Sequence, residues 1–354
     1  MLDQSQILKL SQIAKQMVAS GKGILAADES EKTVGKRFAS INLENTEDNR
    51  RAFREMLLTA PGESEFISGV ILYDETIRQK TSSGKTFVEV LNAEGILPGI
   101  KVDLGLAEFA PSSLEKITKG LEGLSDRLKE YVALGAKFCK WRSVITIGEG
   151  TPTDANIRQN AKDLAAYALV CQENGLVPMV EPEVLLDGNH TIEQAEDANR
   201  KTLTALFEEL KNAGVAVEGL ILKNSMVLPG KDSGKKASPE EVAKATLEVF
   251  TSVLPKELAG VVFLSGGQGD IEATENLNAI NKVGSQPWPL TFSYARALQD
   301  AATKTWQGKK ENLSSAQKVF IHRAKMNSLA SLGKYSAEME AGFATSDSAT
   351  ATQD

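Results

Sequence analysis

Apolar positions along this chain follow two spacings. Short runs in which every residue or every second residue is apolar recur at intervals of roughly 30 to 45 residues. They are GKGILAADES from Gly21, ISGVILYDE from Ile67, GIKVDLG from Gly99, AKFCKWRSV from Ala136, LVPMVEPEV from Leu176, GLILKNSM from Gly219, GVVFLSGG from Gly260 and PLTFSYAR from Pro289. Between them lie stretches such as GLSDRLKEYVALG and EEVAKATLEVFTSVL, where apolar residues return every three or four positions and a helix is expected. Eight strands alternating with helices are the count for a (β/α)8 TIM barrel, an α/β fold; a doubly wound sheet shares the alternation and is the runner-up.

The ends of the chain add to this unit without dividing it. Ile7, Leu10, Ile13 and Met17 stand at helical spacing with both charge signs between them, which predicts an extra packed N-terminal helix rather than a removable signal. Residues 1–342 are read as one barrel domain. Residues 343–354, rich in Ser, Thr and Ala, lack an apolar period and are expected to form a mobile tail.

Composition narrows the function. The 354 residues carry a formal net charge of -7, which argues against a nucleic-acid or anionic-membrane partner and leaves phosphate binding to local groups. Two cysteines, Cys139 and Cys171, sit in apolar stretches, as expected for reduced thiols of a cytoplasmic protein. Only His190 and His322 are available, so His-based metal catalysis and a Ser-His-Asp triad are disfavoured, and no cofactor or metal is expected. GKGILAA matches a dinucleotide fingerprint only by forming the strand instead of following it. SSGKT has Gln79 where a phosphate loop needs its first glycine.

Polar residues near the strand ends suggest chemistry. In a barrel alternate side chains point inward, and catalysis sits at the carboxyl ends of the strands. On that alternation Glu181 and Glu183 share a face with Met179, Lys140 and Arg142 with Phe138, Lys223 with Ile221, and Asp28 with Ala26; Ser265 is placed with Phe263 and Arg296 with Tyr294 and Phe292. Each alone reads as a rim residue or half of an ion pair; together they put charge at one end of one interior. Lys223 closes an apolar run, and desolvation plus nearby Lys140 and Arg142 are expected to disfavour its ammonium form. A neutral buried amine forms Schiff bases with carbonyl compounds, and Glu181 or Glu183 can move the protons. Gly266, Gly267 and Gly269 let backbone N–H groups approach an anion beside Arg296, after the last two strands, where barrels commonly hold phosphate.

The segments GKGILAADES, NTEDNRR, GVILYDET, KWRSV, VEPE, FLSGGQ, NLNAIN, LTFSYARALQ and TWQGKKEN resemble, in order and spacing, the class I Schiff-base fructose-bisphosphate aldolases over nearly the whole chain. The resemblance implies a cytoplasmic, metal-free, homo-oligomeric lyase acting on a sugar phosphate. It implies Lys223 as the Schiff-base residue, Glu181 as proton shuttle, Glu183 as a hydrogen-bonding support for the lysine, Asp28 at the hydroxyl beside the scissile bond and Lys140 as an orienting cation. Ser265, Gly266, Gly267, Ser293 and Arg296 would hold the ketose-side phosphate, with Arg37, Ser30 and Arg50 toward the other. Arg142 is grouped with the substrate-binding residues. The chain departs from the family's pattern at Leu104, where a lysine is usual, and in LAEFAPSSLEKITKG, which replaces a threonine-rich loop. LKNSM after the lysine, Ala295, and a chain end without tyrosine are further departures. An aldolase for another phosphorylated ketose such as fructose 1-phosphate, or a silent sugar-phosphate-binding barrel, are the alternatives.

Overall fold

The computed structural model describes residues 2–343; the expected tail, apart from its first residue, lies outside the described residues. Eight parallel strands close into a barrel: β1 (Gly23–Ala27), β2 (Ile67–Leu72), β3 (Leu97–Lys101), β6 (Phe138–Ile145), β7 (Val177–Val184), β8 (Ile221–Asn224), β9 (Gly260–Phe263) and β10 (Leu290–Tyr294). The two remaining strands, β4 (Leu106–Phe109) and β5 (Ser112–Thr118), form an antiparallel hairpin outside the barrel. Each of the eight barrel strands overlaps one of the apolar runs, with β3 starting two residues before its run and β6 ending one residue after, because a parallel barrel strand is covered on both faces and must be apolar nearly throughout. The hairpin occupies the segment that replaces the threonine-rich loop. Its mixed polar pattern hid it, since neither face is buried in the core.

Helices surround the barrel: α2 (Glu31–Ala39), α3 (Glu47–Leu58), α4 (Asp74–Arg78), α5 (Phe87–Ala93), α6 (Leu124–Ala133), α7 (Asp154–Glu173), α8 (Ile192–Ala213), α9 (Pro239–Val253), α10 (Asp270–Lys282), α11 (Arg296–Trp306) and α12 (Leu313–Ser331). Side-chain caps start several of them, as Thr191 does for α8 and Ser238, before Pro239, for α9. The largest apolar cluster lies between strands and helices and includes Phe38, Phe53, Trp141, Phe250 and Phe263.

A second, smaller cluster fills the barrel itself. Ile24, Ala26, Ile71, Phe138, Val177, Met179, Ile221 and Val262 meet inside, joined by Leu10, Ala14, Met17 and Val18. The first three of those four lie on α1 (Gln4–Met17), so the N-terminal helix closes one end of the barrel, and its apolar period is explained. Gly99 has a structural reason here: a Cβ on it would stand 2.2 Å from the Phe138 ring, so only glycine lets that ring occupy the interior.

Three inward assignments are corrected. Phe263 stacks on Phe250 of α9, the Tyr294 hydroxyl donates to the Ala273 carbonyl of α10, and Phe292 packs against the Tyr294 ring in the same outer cluster, so these side chains face the helices. Val262 faces inward in β9 and Ser293 borders the cleft at the end of β10. Ser265 and Arg296 still reach the cleft because both lie beyond their strand ends, where strict alternation no longer holds. Cys139 of β6 and Cys171 of α7 are free buried thiols with their sulfurs 3.0 Å apart.

Candidate active site

At the carboxyl end of the barrel opens a cleft of about 1050 Å3. Asp28 follows β1, Lys140 and Arg142 stand on β6, Glu181 and Glu183 on β7, and Lys223 on β8. Strand register brings them level: Arg142 pairs with Glu181 across β6 and β7, and Lys101 of β3 with Lys140. Ser30, Arg37, Ser265, Gly266, Ser293 and Arg296 also line the cleft. Gly267 does not, but a Cβ there would lie 3.8 Å from Arg296 Nη2, so its backbone is packed close behind that guanidinium.

The deepest charges form one chain of contacts. Lys140 Nζ lies 2.8 Å from Asp28 Oδ2 and 3.1 Å from Glu181 Oε2, and Lys223 Nζ lies 3.2 Å from Glu181 Oε1. Lys140 and Lys223 are each 4% exposed and Glu181 3%, so solvent screens these pairs little. Burial alone would raise the Asp28 and Glu181 carboxyls, but the charges of Lys140 and Lys223 outweigh it, holding Asp28 well below the usual carboxylate range and Glu181 below its ordinary value. Burial likewise opposes the Lys140 ammonium, yet Asp28 and Glu181 push its pKa far up.

Two expectations change. The cations expected to crowd Lys223 are each engaged: Lys140 by Asp28 and Glu181, and Arg142 by Glu183, whose Oε2 accepts from Arg142 Nε. The carboxylate beside Lys223 is Glu181, and Glu183 is bound to the arginine instead of supporting the lysine. A barrel end with nearly matched charges satisfies each acid with the nearest cation, which strand parity alone does not rank.

Arg50 is not at the cleft. Its guanidinium is held by Glu75 at 2.6 Å and by Asn45. Arg37 faces the cleft, and so does Leu104, which is 59% exposed. Sequence reasoning missed Lys101, which ends β3 and contacts Asp103 Oδ1 at 2.6 Å. The signal was present, since Lys101 interrupts the apolar residues of GIKVDLG as Lys223 interrupts those of its own strand. Arg78 and Arg127 come from helices α4 and α6, whose positions the strand pattern does not reveal.

Nine cationic and seven acidic side chains line the cleft, a positive excess in a chain of net charge -7. Such a cleft favours an anionic ligand. Arg296 makes no ion pair among the described residues, and Ser293 Oγ is buried without a hydrogen-bond partner, so both are available to one. Among the described residues no group of His, Cys, Asp and Glu is arranged to hold a metal ion, and no helix is long and apolar enough to cross a membrane. His190 is buried outside the cleft, and His322 contacts Glu340.

Known proteins share this architecture closely. The family described as Glycolytic: Fructose-bisphosphate aldolase class-I matches residues 9–353. The chain is 54% identical to cytosolic fructose-bisphosphate aldolase 4 of Arabidopsis thaliana over 93% of this chain and 84% of that one. It is 51% identical to the fructose-bisphosphate aldolase of Dictyostelium discoideum over 94% of each. The solved structure of fructose-bisphosphate aldolase from Plasmodium falciparum superposes with a TM-score of 0.94 at 48% identity, covering 95% of this chain and 97% of that one. With the closed barrel, the buried lysine and acids at its mouth, and a family match spanning nearly every residue, the chain belongs to the class I fructose-bisphosphate aldolases.

Proposed function

We propose that this lyase cleaves fructose 1,6-bisphosphate to dihydroxyacetone phosphate and glyceraldehyde 3-phosphate through a Schiff base on Lys223. The observation that carries the assignment is the 3.2 Å contact from Lys223 Nζ to Glu181 Oε1 inside the cleft. Glu181 accepts a proton from the lysine, freeing the amine to attack the ketone carbon, and then returns it to the carbinolamine hydroxyl so that water leaves. The resulting iminium accepts the electron pair of the breaking carbon–carbon bond. Asp28, held as a carboxylate by Lys140, takes the proton of the hydroxyl next to that bond, and the aldehyde departs. Lys140 keeps both acids ionised and offsets the charge that develops on oxygen. Arg142 fixes Glu183 and borders the substrate.

Ser265, Gly266, Ser293 and Arg296, with Gly267 behind, bind the ketose-side phosphate, and Ser30 and Arg37 face the second phosphate. Borohydride with dihydroxyacetone phosphate is expected to inactivate the enzyme irreversibly, with the adduct mapped to Lys223. Labelling at another lysine, or none, overturns the assignment.

A second substrate is favoured by Leu104, an exposed apolar side chain at the cleft where the family usually has a lysine. Fructose 1-phosphate then loses less relative to the bisphosphate than it otherwise would. Replacing Leu104→Lys is expected to raise the kcat/KM preference for the bisphosphate by about twofold to fivefold, the scale of one exposed ion pair. An unchanged ratio removes Leu104 from the account of specificity. A cytoplasmic location, supported by the cytosolic relatives, and a homo-oligomeric assembly complete the proposal; sedimentation of the purified protein tests the assembly.

A further inference from the structure

We propose that Arg54, a buried arginine outside the cleft, is a positioning residue that sets how much positive charge Arg37 presents to the substrate's second phosphate, acting through a carboxylate the two arginines share. The inference rests on the reading of Arg37 as a ligand of that phosphate.

Arg54 lies on α3 with its guanidinium 5.4 Å from the centre of the Phe53 ring, and it does not line the cleft. Its Nη1 is 2.6 Å from Glu29 Oε2, and its Nη2 donates to the Glu29 carbonyl at 3.1 Å. The other carboxylate oxygen, Glu29 Oε1, lies 2.7 Å from Arg37 Nη2. One acid is thus divided between two arginines. Burial would raise the Glu29 carboxyl, but Arg37 and Arg54 hold it below its ordinary value, so it stays ionised.

The division matters because an arginine fork facing a free carboxylate makes two parallel hydrogen bonds and surrenders its charge to that partner. Arg54 occupies one oxygen, so Arg37 meets this carboxylate at the other oxygen only. Its Nη1 also donates to Gln299 Oε1, and the Gln299 amide is anchored by donating to the Ala26 carbonyl of β1 at 2.6 Å. Asp300, half-exposed, is farther from Arg37 at 3.6 Å. Arg37 is therefore fixed in direction, while two guanidinium groups against one buried acid leave positive charge for a phosphate. Without Arg54 the Glu29 carboxylate, still buried, has only Arg37 to pair with. It would take the whole fork and turn that charge away from the cleft.

Steady-state kinetics of Arg54→Met, Arg37→Ala and the double variant on fructose 1,6-bisphosphate and fructose 1-phosphate test this. Arg54→Met is expected to raise KM for the bisphosphate about tenfold, the scale of one charge-assisted hydrogen bond. The kcat, and KM for fructose 1-phosphate, which lacks the second phosphate, should stay near wild type. The double variant should be no worse than Arg37→Ala, since one residue acts through the other. Equal losses on both substrates, or additive losses in the double variant, would reduce Arg54 to a structural role and overturn the proposal. If Arg37→Ala leaves the substrate ratio unchanged, the phosphate reading itself fails and takes the proposal with it. Should Arg54→Met not fold, Arg54→Gln carries the same comparison, because it removes the cation from the Glu29 carboxylate while its amide can keep the contact to the Glu29 carbonyl.

Discussion

The two ends of the barrel interior are built from opposite materials. At the amino end α1 seals the strands with Leu10, Ala14 and Met17 against Phe138, Met179 and Ile221. A few residues further along the same strands, at the carboxyl end, Lys140, Glu181 and Lys223 are as deeply buried as those apolar groups. The first end gains stability from area removed from water. The second holds charges whose desolvation is offset only by one another, so it is preserved for chemistry and remains fragile to any single loss. A rigid apolar floor lets the charged layer keep its geometry without water beneath it.

That contrast can be broken from either side. Replacing Lys140→Met should have the largest effect, because it strands Asp28 as a buried acid and leaves Glu181 with Lys223 alone. Stability should fall by about 3–5 kcal/mol and cleavage should be nearly abolished, read by thermal unfolding and by product formation. A variant of wild-type stability would mean that the acids do not need the lysine.

At the opposite end, Phe138→Ala should cost a similar or slightly smaller amount, about 3–4 kcal/mol, through the cavity it leaves. Its kcat at a temperature where it remains folded should stay within a few fold of wild type. A kcat collapse without loss of stability would show that the two ends are not separable.

The smallest and most specific effect concerns pH. Asp28 and Glu181 have carboxyl pKa values lowered by folding, so their stabilising contribution is complete above the unfolded value of about 4. It is lost as pH falls through the depressed folded values. The stability gap between wild type and Asp28→Asn should therefore stay constant from neutral pH down to about 4 and close only in stronger acid. A gap that closes already between pH 7 and 5 would contradict the ionised pair with Lys140.

How far the sequence could be read follows from the same contrast. The strands were legible because burial on both faces demands continuous apolar runs, and Lys223, Lys140 and Glu181 stood out as charges inside them. Phe263, Phe292 and Tyr294 were placed on the wrong face, since in runs apolar on both sides parity has no marker. The β4–β5 hairpin was missed because it buries little. Its anchors are Glu115, which accepts from the Thr153 backbone N–H, and Asn156, which donates to the Lys116 carbonyl, contacts between residues distant in sequence.

By itself the sequence determined the barrel, its sealing helix and the charged residues gathered at its carboxyl end, since each is written in local periodicity or in a charge that interrupts it. Tertiary structure alone decided the partners: Glu181 rather than Glu183 beside Lys223, Arg50 drawn off to Glu75, and Glu29 shared between Arg37 and Arg54. Ion pairing depends on distances of a few ångströms between different strands and helices, and no spacing along one chain segment encodes them.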